Sequence, residues 1–157
     1  MNFKKYAIFL SMLATGFTYS QTLCASEEES VFDCEIGKKI LSVCASKELD
    51  DSKGWLQYRF GTAEKIDLSY PETKAHPKKY FQFNRAYSAA ENVMVGELRF
   101  KNGATQYTVY REDAKGKSEA GVYVTIREKD TYLKCKNTKK TQSFTFKMNE
   151  LGLDEFP

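Results

Sequence analysis

The stretch VGELRFKNGATQYTVYRE, residues 95–112, decides the fold class because it has the pattern of two β-strands joined by a tight turn. Asn102-Gly103 is typical of a type I′ hairpin turn, which requires two positive φ angles. With Lys101 placed opposite Ala104, one face of the predicted hairpin is apolar and the other is polar. The apolar face holds Leu98, Phe100, Tyr107 and Val109, and the polar face holds Glu97, Arg99, Lys101, Gln106 and Thr108. This alternation predicts an antiparallel sheet with one buried face and one wet face.

A second hairpin is predicted in WLQYRFGTAEKIDLSYP, residues 55–71. A loop from Gly61 to Lys65 places Phe60 opposite Ile66, and the same register places Tyr58 opposite Leu68. Proline has no N–H to donate to a strand ladder, so Pro71 is expected to end this one.

Further strands complete an all-β chain. GVYVTIRE, residues 121–128, alternates apolar and polar side chains, and TYLKCK, residues 131–136, is its expected partner. Weaker strand candidates lie at residues 80–83 and 143–146, whereas SAAENVMV, residues 88–95, favours a single helical turn. About eight or nine short strands predict one antiparallel barrel or sandwich, stapled by disulfides.

The organisation of the chain follows from its ends. Residues 1–20 carry two lysines, an uncharged stretch and small residues before Ser20, which is the layout of a secretory signal peptide. Cleavage after Ser20 fits best, and a second site after Ala25 would remove Cys24. Residues 21–30 are expected to be a flexible acidic lead-in, residues 31–147 the β domain, and residues 148–157 a C-terminal tail or short helix. The apolar run is too short to span a bilayer, so the protein is predicted to be periplasmic or secreted and not membrane-spanning.

Composition excludes two classes of protein. The chain has 157 residues, is 41% hydrophobic and carries ten tyrosines and eleven phenylalanines, which is too rich for a disordered protein. Its formal charge of +3 falls to +1 when the two lysines of residues 1–20 are removed. Such a small charge gives no reason to expect nucleic acid as a partner.

The four cysteines are expected to form structural disulfides, the default in an oxidising compartment. In VFDCEIGKKILSVC, residues 31–44, a three-residue turn puts Cys34 and Cys44 on one face, whereas a two-residue turn puts them on opposite faces. Neither register places one directly opposite the other. Bonding Cys34 or Cys44 to Cys135 is preferred because it closes a long loop. Cys24 then takes the remaining cysteine or stays free.

Catalytic, metal and cofactor sites are not predicted. The single histidine, His76, lies among lysines, and the cysteine spacing does not match a zinc site. Paired carboxylates could serve a hydrolase, and the available residues are Glu64, Asp67, Glu97 and Glu112. However, charged residues that alternate with apolar ones are also what the wet face of any sheet shows. The sequence therefore predicts no enzyme activity and no cofactor.

Two resemblances cover parts of the chain. The order FDCEIGKKILSVC, LQYRFG, KNGATQYTVYRE, AGVYV and LKC, within residues 31–136, is similar to a group of small exported bacterial β-proteins of no assigned function. FDCEIGKKI and TYLKC resemble the two cysteine-bearing strands of periplasmic C-type lysozyme inhibitors, whose small β-barrels block the lysozyme cleft with a loop. The resemblance extends to Cys34 and Cys135, but the Ser-Gly-x-x-Tyr motif of that family's inhibitory loop is missing. The resemblance implies that the loop from Asp113 to Gly121 is the element that inserts into the lysozyme cleft.

These observations predict an exported, non-catalytic protein that blocks or sequesters a protein partner, as lysozyme inhibitors and toxin-immunity proteins do. The alternative is an envelope component that binds glycan or lipid through tyrosines and lysines, and a carboxylate-based hydrolase is the third possibility. The candidate partner-binding residues are Tyr110, Asp113, Lys115, Lys117, Ser118, Glu119 and Tyr123.

Overall fold

The computed structural model describes residues 22–156, so the predicted signal peptide lies outside the described residues. Nine strands and one helix follow in chain order: β1 (Glu29–Ile36), β2 (Lys39–Ala45), β3 (Leu56–Gly61), β4 (Ile66–Ala75), β5 (Gln82–Ser88), β6 (Val93–Asn102), β7 (Thr105–Ala114), β8 (Lys117–Ile126), β9 (Lys129–Lys134) and α1 (Phe144–Asn149). Short 3₁₀ turns lie at Pro77–Lys79 and Lys139–Thr141. The predicted all-β class is confirmed.

The strands form two antiparallel sheets in which every strand pairs with its neighbour in sequence. The first sheet has the order β1-β2-β3-β4, and the second has the order β5-β6-β7-β8-β9. Their inner faces share one hydrophobic core. Aromatic rings join the two layers: the ring centroid of Tyr58 in the first sheet lies 4.9 Å from that of Phe100 in the second, and Tyr70 stacks on Phe100 at 4.5 Å.

Within residues 22–156, no helix is both long enough and apolar enough to cross a membrane.

The hairpin of residues 95–112 forms with a different register from the predicted one. Asn102 pairs with Thr105, so Gly103 and Ala104 occupy the turn and Lys101 lies opposite Gln106 rather than Ala104. Of the turn residues only Gly103 has a positive φ, at 60°, which is the pattern of a type II′ turn rather than type I′. The register differs by two residues and side chains alternate with a period of two, so the predicted faces are preserved. Leu98, Phe100 and Val109 are buried.

A two-residue turn at Gly37-Lys38 joins β1 to β2, because Ile36 pairs with Lys39. Cys34 therefore lies opposite Leu41 and faces the core. Cys44 is on the other side of the sheet, as the shorter of the two possible turns predicts.

The two disulfides follow from this arrangement. Cys34 bonds Cys135 across the core, and Cys44 bonds Cys24 on the outer side of the first sheet. The Lys136 N–H also donates to the Glu35 carbonyl at 2.9 Å, which ties β1 to the chain directly after β9. The expected bond from an early strand to Cys135 is confirmed. Two disulfides are typical of an oxidising, extracytoplasmic environment.

The β3–β4 hairpin corrects two predictions. Phe60 pairs with Leu68 rather than Ile66, and Tyr58 pairs with Tyr70. Pairing with β3 is interrupted after Tyr70, as expected at Pro71, but it resumes where Ala75 lies opposite Leu56, so Pro71 interrupts the ladder without ending β4. The missing proline N–H is tolerated because β4 is an edge strand.

Residues 143–146 lie at the start of a helix, not in a strand. Phe144 and Met148 are four residues apart and both fully buried, which is the spacing of one helical face. The helix begins at Phe144, whereas the predicted C-terminal tail or short helix begins at residue 148. The other weak strand candidate, residues 80–83, overlaps β5, which begins at Gln82. Residues 89–92 form a turn, not a helix, between Ser88 and Val93.

The predicted acidic lead-in makes specific contacts near its end. Glu28 has a side chain only 2% exposed, and its carboxylate binds both guanidinium nitrogens of Arg59, at 2.6 and 2.9 Å. Arg59 also donates to the Leu23 carbonyl at 2.8 Å, and Lys74 Nζ lies 2.8 Å from Glu28. Residues 22–28 therefore pack across the outer face of the first sheet.

Candidate protein-binding surface

The outer face of the second sheet carries three tyrosines on adjacent strands. Leu98, Val109 and Val122 point into the core, so residues one position away along each strand point outward. The register pairs Tyr123 with Tyr132 and places Tyr110 opposite Gly121. The rings of Tyr123 and Tyr132 stack at 4.5 Å, and Tyr110 meets them edge-on at 5.6 and 6.4 Å.

Gly121 makes room for this cluster. A Cβ at this position would lie 2.7 Å from a ring carbon of Tyr132 and 2.4 Å from the Leu133 carbonyl oxygen. Both contacts are shorter than real Cβ contacts. Glycine is therefore required here by close approach, although its φ is not positive.

Four carboxylates surround the tyrosines, and we call the seven residues together the tyrosine face: Tyr110, Tyr123, Tyr132, Glu97, Glu112, Glu119 and Asp130. Burial raises the pKa of Tyr123, and all four carboxylates raise it further because each repels the phenolate. The Tyr110 hydroxyl donates to Glu112. Burial is the main cause that raises the pKa of Tyr110, and this hydrogen bond raises it further. The phenols therefore stay protonated in a field that favours positive charge.

Two basic residues beside this face have partners within the chain. Lys134 Nζ lies 2.6 Å from a carboxylate oxygen of Glu119. The guanidinium carbon of Arg99 lies 3.4 Å from the centre of the Phe156 ring. Asn84 holds Phe156 in place by accepting from its N–H at 3.0 Å and donating to its carbonyl at 2.9 Å. The end of the chain thus covers the β5 side of the sheet and leaves the three tyrosines outside its contacts.

The predicted inserting loop, Asp113 to Gly121, is not a loop. Ala114 pairs with Lys117, so only Lys115 and Gly116 form the turn. Both have positive φ, at 50° and 78°, as a type I′ turn requires. The correction has a simple cause: lysine in a left-handed conformation is uncommon, so the sequence gives little sign of a tight turn there.

The seven predicted binding residues therefore fall into two places. Tyr110, Glu119 and Tyr123 belong to the tyrosine face. The other four lie at the end of the β7–β8 hairpin, around an open groove of about 320 Å³ that also contains Tyr87 and Met94: Asp113, Lys115, Lys117 and Ser118.

Two residues of this hairpin end have a structural role. Arg111 is only 4% exposed, and its charge is balanced by Asp113, whose carboxylate it binds through two nitrogens. Arg111 also donates to the Thr138 carbonyl and to the Thr141 hydroxyl. Ser118 donates to Asp113 at 2.5 Å. Asp113 and Ser118 thus hold a buried arginine, whereas Lys115 and Lys117 are exposed.

The acidic residues considered for hydrolysis do not form one group. Glu97 and Glu112 lie on the tyrosine face. Asp67 is on β4, where it binds Lys39 at 2.9 Å, and Glu64 is exposed in the β3–β4 loop. Hydrogen bonding to Lys39 lowers the pKa of Asp67.

One cluster of metal-ligand types occurs in residues 22–156, formed by Cys24, Glu28 and Cys44. The two sulfurs are bonded to each other and the carboxylate binds Arg59 and Lys74, so the cluster is explained by these bonds.

Comparison of the chain with protein-family models, with curated proteins and with solved structures found no match.

Proposed function

We propose that this is an exported, non-catalytic binding protein that blocks or sequesters a protein partner, in the manner of a lysozyme inhibitor or a toxin-immunity protein. The observation that carries the proposal is the group of Tyr110, Tyr123 and Tyr132 on the outer face of the second sheet. The tyrosine face is the proposed contact surface.

Tyrosine suits a protein interface for two reasons. It provides a large contact area together with a polar hydroxyl, and it loses little side-chain entropy because it has few rotatable bonds. In this protein the rings are already packed on one another, so their order is present before a partner arrives. Preorganised side chains reduce the entropic cost of association.

The position of the surface supports the same function. The helix α1 packs against β1, β5 and β6 on the core side, where Phe144 meets Phe83, and leaves the outer face of β7–β9 open. The Cys34–Cys135 disulfide fixes the end of β9 to the first sheet. The tyrosine face therefore stands on a braced five-stranded sheet rather than on a mobile loop.

A second candidate function is an envelope component that binds an anionic glycan or lipid headgroup. An open groove of about 390 Å³ between the two sheets carries the aromatic residues and cations that such a ligand would need: Tyr70, Tyr80, Lys78, Lys79 and Lys101. Lysines also protect edge strands from aggregation, so the arrangement supports this function less than the tyrosine face supports protein binding.

The test is a turbidity assay of cell-wall lysis by a panel of lysozymes, with the oxidised mature protein added in increasing amounts. The proposal predicts stoichiometric protection from at least one lysozyme, abolished when both disulfides are reduced and alkylated. The same preparation is tested for killing by co-produced periplasmic toxins. Protection from neither, together with binding to lipopolysaccharide that is lost in Lys78→Ala/Lys79→Ala, would replace this proposal with the second.

A further inference from the structure

We propose that the tyrosine face accepts a basic partner, one that places lysine or arginine side chains against Tyr123. This inference rests on the proposed function, because it names the kind of protein that the surface fits.

The charges of the face are unbalanced. In the part of the chain that the structure describes, Glu97, Glu112 and Asp130 have no ion pair within 4.0 Å, whereas Glu119 is paired with Lys134. Glu112 accepts from Tyr110, and Asp130 accepts from Thr125 at 2.6 Å, so hydrogen bonds hold both carboxylates in place. A partner with positive charge would neutralise them.

The shape of the face also suits a cation. An open groove of about 410 Å³ is lined by Glu97, Tyr123 and Asp130, so it combines an aromatic ring with two carboxylates. Ammonium and guanidinium groups bind both to aromatic faces and to carboxylates.

One arginine of the chain lies at the border of this groove. Arg99 lines it, and its guanidinium packs on the Phe156 ring while burial lowers the Arg99 pKa and Glu97 acts in the opposite direction. Beside the face, the chain thus already places a guanidinium on an aromatic ring near a carboxylate, the combination that a partner's arginine would meet at Tyr123.

A second copy of the chain is a poor occupant of this face. Isologous pairing would bring Glu97, Glu112 and Asp130 against the same three carboxylates, and like charges brought together are destabilising. Charge therefore favours a different protein with a basic surface.

The experiment measures binding of a short fluorescent peptide of alternating lysine and glycine by anisotropy at low salt. The variant is Glu97→Gln/Asp130→Asn, which preserves shape and removes two charges. Its matched control is Glu48→Gln/Glu72→Gln, which removes two charges from exposed positions outside the tyrosine face. We expect about fivefold weaker binding in the first variant and less than twofold in the control, as two exposed ion pairs would give.

Several outcomes would overturn the inference. These are equal weakening in both variants, or equal binding of a peptide with glutamine in place of lysine. A dimer in sedimentation experiments that dissociates in Glu97→Gln/Asp130→Asn would make a second copy the occupant. Ring resonances of Tyr123 that do not move on peptide addition would place the binding elsewhere.

The turbidity assay separates this inference from the proposed function. If Glu97→Gln/Asp130→Asn protects as well as the unchanged protein while Tyr123→Ala does not, the face binds its partner without needing basic side chains. If Tyr123→Ala also protects fully, the proposed function itself fails at this surface.

Discussion

Cys34 and Cys44 lie on adjacent strands but face opposite sides of the first sheet, so each forms a different disulfide. Cys34 points into the core and reaches Cys135, 101 residues away in sequence. Cys44 points outward and holds Cys24, 20 residues away. One disulfide joins the two sheets, and the other fixes the segment that covers the first sheet.

The two disulfides should differ in their effect on stability. Because stabilisation by a cross-link grows with the loop it closes, Cys34→Ala/Cys135→Ala should lower the free energy of unfolding by about 4.5 kcal/mol and Cys24→Ala/Cys44→Ala by about 3 kcal/mol. Urea unfolding of both double variants measures this difference. A larger loss in the second variant would contradict the assignment of the core disulfide as the main constraint.

The Glu28–Arg59 pair should make stability depend on acid pH. Burial opposes ionisation of Glu28, but hydrogen bonds from Arg59 and Lys74 outweigh it and lower its pKa from 4.5 to about 2. A carboxyl group whose pKa is lower in the folded state stabilises the fold above its unfolded pKa. That contribution is lost as the pH falls from about 4.5 to about 2.

The substitution Glu28→Gln isolates this effect. It leaves the buried Arg59 charge without its partner and should cost about 3–5 kcal/mol at neutral pH. The difference from the unchanged protein should shrink as the pH is lowered toward 2. The matched control is Glu27→Gln, an exposed neighbour. A pH-independent difference would show that Glu28 acts through packing and not through its charge.

Gly121→Ala should disturb the packing of the rings in the tyrosine face. The new Cβ would clash with Tyr132 and the Leu133 carbonyl, so we expect a loss of about 1–3 kcal/mol, as overpacking gives. Near-ultraviolet circular dichroism should change at the same time because the stacked tyrosines move. A variant with unchanged spectrum and stability would show that the strand accommodates the methyl group without displacing the rings.

The two hairpin-end lysines should be dispensable for stability, unlike Asp113 beside them. Asp113→Asn weakens the charge balance of the buried Arg111 and should cost about 2–4 kcal/mol in urea unfolding. Lys115→Ala/Lys117→Ala should change the free energy by about 0.5 kcal/mol or less, as exposed positions do. A double lysine variant as unstable as Asp113→Asn would show a contact that the exposed positions of these side chains do not explain.

Alternation of side chains was enough to predict which residues face the core. In the hairpin of residues 95–112 the turn was misplaced, yet Leu98 and Phe100 still face inward because the error was two residues. In β1–β2 the alternatives differed in whether Cys44 faces the core or the outer side, and the structure was needed to choose between them. Periodicity therefore predicts faces more securely than it predicts turns.

The parts that could not be predicted depend on contacts between distant residues. FTF in residues 144–146 has the alternation of a strand, and burial against the core makes it helical. Arg111 shares the parity of the buried Val109, so alternation turns this charged residue inward, but the sequence does not identify Asp113, Thr138 and Thr141 as the partners that satisfy it there. The sequence identifies Tyr110 and Tyr123 as candidates. Predicting that four carboxylates surround Tyr123 would require knowing the registers of four strands.

The most direct test of the proposed binding surface compares two tyrosine substitutions in the lysis assay, against a lysozyme from which the unchanged protein protects. Tyr123→Ala removes the centre of the tyrosine face, and Tyr87→Ala removes an equally large side chain that is 66% exposed and lies outside it. Circular dichroism confirms first that both variants are folded. The account then predicts at least a tenfold loss of protection for Tyr123→Ala, because an interface hot spot contributes about 1.4 kcal/mol or more. It predicts no loss for Tyr87→Ala. Full protection by Tyr123→Ala, with loss in Tyr87→Ala, would contradict the account and move the contact surface to the hairpin end.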